Sequence, residues 1–145
     1  MARVVVEVEV KPTEEEGKVR RAVETFMEPV KVEREERGGK AFLVARSDLR
    51  GLARLHYLLR AERILDAARS AMKRGLSEGA ITVYLHKQAA FAGKVSFVSG
   101  DHESPLGAIK LTIETDEPQA VIDCLAPSTS RGRPLWDRRI EECEG

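Results

Sequence analysis

The sequence predicts an α+β fold: an antiparallel or mixed sheet of about six strands covered by helices, in the order β-α-β-β-α-α-β-β-β-α. Valines alternate with other residues at the start of the chain, apolar residues recur at helical spacing through the middle, and alternation returns between Ile81 and Thr115. At 145 residues the chain fits one domain, able to bury roughly 68–70% of its unfolded surface. Residues 1–127 read as that domain, and residues 128–145 as a C-terminal tail, docked or flexible.

Val4, Val6, Val8 and Val10 alternate with Val5, Glu7 and Glu9, the period of a strand buried on one side. Pro12 stops it. Thr13 and Glu16 have capping-box spacing, which predicts a helix from Glu14 to Met27 with Val19, Ala22, Val23, Phe26 and Met27 inward. Pro29 breaks that helix, and Val30 and Val32 open a strand. Arg37-Gly38-Gly39-Lys40 then turns the chain into a return strand, Ala41–Ala45. These two glycines lack the pattern of a phosphate-binding loop, and no helix follows them directly.

Ser47 offers an N-cap to a helical region reaching about Arg74. At 100° per residue, Leu49, Leu52, Leu55 and Leu59 fall on one side, and Ile64, Leu65, Ala68, Ala71 and Met72 fall nearly opposite. One straight helix cannot bury both stripes against one sheet. Either it breaks near Arg60 to Glu62, the favoured reading, or its first half packs on a second subunit.

Gly75 ends the region, and Ile81, Val83 and Leu85 mark another strand. Lys87–Gly93 is too short for a settled helix and too poor in β-branched residues for a strand. Lys94–Val98 resumes a strand with Val95 and Phe97 inward, Ser99–Pro105 is a polar loop, and Ala108–Thr115 is a strand burying Ile109, Leu111 and Ile113. Pro118 opens a helix through Leu125, ended by Pro127. The tail carries Arg131-Gly132-Arg133 and one tryptophan, Trp136, which either binds RNA with the arginines or docks on the body.

Charge is informative only in segments. The zero net charge hides a middle, residues 46–95, with ten lysines and arginines against four acids, a net of +6. Screening over about 8–10 Å lets such a surface meet a polyanion although the whole chain is neutral. Arg50, Arg54, Arg63, Arg69, Lys73 and Arg74 fall away from the apolar stripes, as phosphate contacts or as solubility charges. Lys87, Gln88 and Lys94 form a polar corner between strands. There Gln88 either reads a base or sugar, or satisfies the turn's own backbone.

Other chemistry is less legible. His56, His86 and His102 lie far apart, and the adjacent Asp101-His102-Glu103 cannot readily aim at one ion, so neither metal nor cofactor is expected. No nucleophile elbow or catalytic motif appears. Cys124 and Cys143 have no CxxC spacing and read as reduced, structural thiols. No apolar run approaches the roughly 18 residues of a membrane helix, so a cytoplasmic protein with no membrane partner is expected. The spaced glycines of a KH clamp and the paired aromatics of an RRM strand are missing.

Five motifs in order carry a family resemblance: Ile64–Arg69 (ILDAAR), Lys87–Gly93 (KQAAFAG), Lys94–Val98 (KVSFV), Ser104–Ile109 (SPLGAI) and Asp123–Pro127 (DCLAP). Over residues 3–127 the chain resembles an uncharacterised, conserved archaeal protein family, with residues 128–145 outside the match. The resemblance implies an α+β fold similar to a large-subunit ribosomal protein, an RNA-binding role, and a sister branch that is a predicted exosome subunit. The first functional expectation is therefore binding of RNA or a ribonucleoprotein through the nine residues named above. The second is a homodimer or protein-interaction module using the Leu49–Leu59 stripe, and the third an enzyme acting on a small phosphorylated compound at the Lys87–Lys94 corner.

Overall fold

The alternating valines at the start of the chain become the middle of a sheet. In the computed structural model, which describes residues 2–100 and 107–143, the order is β1 (Arg3–Val10), α1 (Glu16–Glu24), β2 (Lys31–Arg37) and β3 (Lys40–Asp48). A 3-10 turn (Leu49–Leu52) leads to α2 (Ala53–Ala61), α3 (Leu65–Arg74), β4 (Leu76–Ser77), β5 (Ala80–His86), α4 (Lys87–Phe91) and β6 (Phe97–Val98). Then come β7 (Ala108–Glu114), α5 (Pro118–Leu125), the short strands β8 (Thr129–Ser130) and β9 (Arg133–Pro134), and a last 3-10 turn (Ile140–Glu142).

Seven strands make one sheet in the order β2-β3-β1-β7-β5-β4, with β6 pairing the other end of β5. The pairings are antiparallel. Val6 lies opposite Ala45 on one neighbour and Leu111 on the other, and Leu111 lies opposite Val83, so one face is an unbroken apolar row. All five helices pack their apolar residues into the core on that face. On the other face Arg37 stands 5.0 Å over the Phe42 ring and pairs with Glu7 and Glu35, while Arg46 pairs with Glu33 at 2.9 Å. These cations are already neutralised.

The helical region divides where the opposed stripes require it. After α2, Arg63 N–H donates to Arg60 O and Ile64 N–H to Leu59 O, with Arg63 left-handed at φ 57°, a Schellman ending. The bend turns α3 about, so that Leu49, Leu52, Leu55 and Leu59 enter the same core as Leu65, Ala68, Ala71 and Met72. The leucine stripe needs no second subunit. Gly75 closes α3 for want of space: a Cβ there would lie 1.7 Å from Thr82 O.

Several local expectations change. The proposed capping box is not formed: α1 begins at Glu16 after Glu15, while Glu14 turns inward. Asp48, not Ser47, caps the first 3-10 turn by accepting from Arg50 N–H at 3.0 Å. Lys87–Phe91 is a short helix, capped when His86 Nδ1 accepts from Ala89 N–H at 3.1 Å. The thiols are not reduced: Cys124 and Cys143 form a disulfide, their Cα atoms 5.3 Å apart across 19 positions of sequence. Spacing could not show this, because the folding back of the last turn onto α5 brings the two together. Residues 101–106, with His102 and its flanking acids, lie outside the described residues.

Candidate nucleic-acid interface

The bend between α2 and α3 and the C-terminal segment enclose a cleft of about 500 Å³. Arg60 builds its floor. Its Nε and Nη2 donate to Asp137 Oδ1 at 2.9 and 2.7 Å, Nη1 donates to the carbonyls of His56 and Leu125, and Nη2 reaches Cys124 O. This fork is spent on structure, joining α2, α5 and the last segment. His56 Nε2–H donates to Arg138 O at 2.7 Å, which requires that tautomer because a carbonyl can only accept. Trp136 Nε1–H donates to Asp123 O, and buried Ile140 and the disulfide complete the docking.

Two titrating groups record this packing. Burial chiefly, with the Arg60 guanidinium second, pushes His56 below the ordinary imidazole value against an opposing pull from the Arg138 carbonyl. Hydrogen bonding from Arg60 holds Asp137 below the usual carboxylate range, against some desolvation.

The walls of the cleft carry three further arginines. Arg63 comes from the bend, and Arg131 and Arg133 from the β8–β9 hairpin. All three are exposed, and their guanidiniums have no hydrogen-bond or ion-pair partner among the described residues. The hairpin turn, Arg131-Gly132, has φ 53° and 79°, both positive as a type I′ turn demands. Gly38-Gly39 makes the equivalent turn between β2 and β3 with glycine at both places. Arg63 and Arg131 are the positive-φ non-glycine residues among those described, and both line this cleft. Each occupies a position where a side chain costs about 1–2 kcal/mol. Asp66 also lines it, accepting from Thr129 Oγ1 at 2.7 Å.

The nine residues singled out from sequence do not converge. Arg63 lies in the cleft. Lys73 and Arg74 continue outward along α3, exposed, and Lys94 is exposed beside Val95, whose N–H donates to Glu62 near the bend. Arg69 is not a free surface cation: it donates to Ala126 O and pairs with Asp123 at 2.8 Å. Arg50 sits by Asp48, and Arg54 bonds Glu24 O and pairs with Glu28, at the other end of α2. Gln88 is exposed on α4, but Lys87 is wholly buried, its Nζ 2.7 Å from Glu9 O and 2.9 Å from Glu14 Oε1. The corner thus loses its leading phosphate ligand. In the sequence Arg131 and Arg133 stand only in a tail motif, and the Arg-Gly pair between short polar stretches is the one sign of a turn there.

An antiparallel sheet roofed by helices on one face, with an arginine-lined cleft between the α2–α3 bend and the C-terminal segment, defines an α+β domain. A protein-family model described as "RNA binding" matches residues 3–115, a span that includes Arg63 and stops short of Arg131 and Arg133. The chain belongs to the archaeal UPF0201 family. It is 55% identical to the UPF0201 protein of Aeropyrum pernix over 143 residues, covering 97% of this chain and 95% of that one. It is 48% identical to that of Metallosphaera sedula, covering 98% and 99%. The crystal structure of the UPF0201 protein from Methanococcus jannaschii superposes with a TM-score of 0.81 at 31% identity, covering 92% of this chain and 99% of that one. With 97% of the chain matched, most of residues 128–145 lies inside the similarity, not outside it.

Proposed function

We propose that this protein binds RNA, engaging phosphates with Arg63, Arg131 and Arg133 and extending the track along α3 through Lys73 and Arg74. The observation that carries the reading is the convergence of three guanidiniums, unpaired among the described residues, on one cleft. Guanidinium forks match phosphate oxygens in pairs, so such a group is more than a solvated face. The exposed Lys73, Arg74 and Lys94 of the middle segment, and the RNA-binding family model over residues 3–115, support the same partner. Structured RNA within a ribonucleoprotein is the context that the family resemblance implies, through a fold similar to a large-subunit ribosomal protein and a sister branch that is a predicted exosome subunit. The role is binding rather than catalysis.

Fluorescence anisotropy with single- and double-stranded RNA, and DNA of matched sequence, tests this at about 50 and 200 mM salt. Up to five phosphate contacts should weaken binding on the order of 10²- to 10³-fold over that range. Replacing Arg131 and Arg133 by Gln should flatten the salt slope by about 1 for each. No binding at low salt, or an unchanged slope in the double variant, would count against the reading.

A further inference from the structure

We infer that the arginine cleft takes a phosphomonoester, a terminal phosphate, in preference to the phosphodiesters inside a chain. The inference deepens the RNA-binding reading and rests on it for one of two possible sources, the phosphorylated end of an RNA or a free mononucleotide.

Charge balance is the first argument. Arg60 and Asp137 neutralise each other at 2.7 Å. Arg63, Arg131 and Arg133 are then set against Asp66 alone, an excess of two positive charges around about 500 Å³. An internal diester brings one negative charge. A terminal phosphate brings about −1.5 to −2 at pH 7 and three acceptor oxygens, enough to engage three forks.

Shape is the second. The volume falls within the roughly 300–1,000 Å³ of small-ligand sites, and the walls come from two separate segments, the bend and the hairpin tip. A duplex presents its phosphates on a convex surface, whereas a chain end can enter. Backbone strain is the third. Arginine stands at a left-handed helix ending and at the first central place of a type I′ turn, where glycine or asparagine is more comfortable. Both side chains border the same space, and strain persists where the surrounding structure holds it, often at ligand clamps.

The test compares one RNA oligonucleotide carrying a 5′-phosphate, a 3′-phosphate or hydroxyls at both ends, by anisotropy, with adenosine monophosphate and inorganic phosphate as competitors. A phosphorylated end should bind at least about tenfold tighter than the hydroxyl form. That advantage should shrink below about pH 6, where the dianionic monoester takes up one proton and becomes a monoanion while the diester's charge is unchanged. Arg131→Asn, which keeps a residue suited to the turn, should abolish the advantage while raising the melting temperature. Equal affinity for phosphorylated and hydroxyl ends overturns the inference and leaves RNA binding standing. Binding of the mononucleotide or phosphate but of no RNA supports the cleft's chemistry with the small-molecule source, and sinks the RNA reading. Binding of neither overturns both.

Discussion

Arg60 on α2 and Asp137 in the C-terminal segment meet at 2.7 Å, 77 positions apart in sequence, and that contact turns a tail into a wall of the cleft. Only 18% of the arginine side chain is exposed; Nε also donates to Asp137, while Nη1 and Nη2 serve carbonyls on α2 and at the end of α5. Replacing Arg60 by Ala should cost about 2–3 kcal/mol in urea unfolding, because charge-assisted bonds to partly buried acceptors are lost together. Asp137→Asn should cost about 1 kcal/mol or less, since that carboxylate is half exposed. Equal costs for the two would show that the carbonyl contacts contribute nothing.

Breaking the disulfide should loosen the same segment. Cys143→Ser is expected to lower stability by about 2–4 kcal/mol, because the cross-link restricts the unfolded chain around a loop of 19 positions. Protease cleavage after residue 127 should rise with it. A guanidinium-denaturation midpoint unmoved by the variant, and by reductant in the parent protein, would contradict this.

Lys87 is the clearest case of a cation used internally. Lys87→Met should cost about 3–5 kcal/mol by stranding the Glu14 carboxylate, whose Oε2 is buried without a hydrogen-bond partner. Lys87→Met with Glu14→Leu should recover most of that loss. The double variant should also bind RNA with an unaltered salt slope; a flattened slope would put Lys87 back among the phosphate contacts.

Acid should release the C-terminal segment in two stages. His56 titrates below its unfolded value near 6.5, so the folded state favours neutral imidazole; its contribution is complete above about pH 6.5 and is lost as pH falls through the folded value. Asp137, depressed by Arg60, contributes above the unfolded value near 3.9 and is lost as pH falls further. The groups facing the imidazole are Arg60, Asp137, Glu141 and the Arg138 carbonyl. NMR titration should place the His56 midpoint below 6.5, and a midpoint above it would reverse the predicted sign.

The elements that could be read in advance are those governed by local period. Valine alternation in β1, the Gly38-Gly39 hairpin and the two opposed stripes each depend on residues within a few positions, and each is found in the structure. The bend could be anticipated because no straight helix could bury Leu59 and Met72 in one core. Where side chains had to choose between remote partners, local pattern failed. Glu14 looked like part of a helix start and instead follows Lys87, 73 positions away; Arg69 looked solvated and instead holds Asp123 and Ala126.

The sequence by itself determined the class of fold, the order of its main elements and the excess of positive charge in the middle, because periodicity and composition are properties of neighbours. Tertiary structure alone decided which cations remain free. Burial gave Lys87 to Glu14, the return of the last segment gave Arg60 to Asp137 and joined the cysteines, and the bend with the hairpin left Arg63, Arg131 and Arg133 facing one cleft. The physical reason is range: an apolar period is set over one or two turns of chain, whereas a charge is paired or free according to whatever the whole fold brings within a few ångströms.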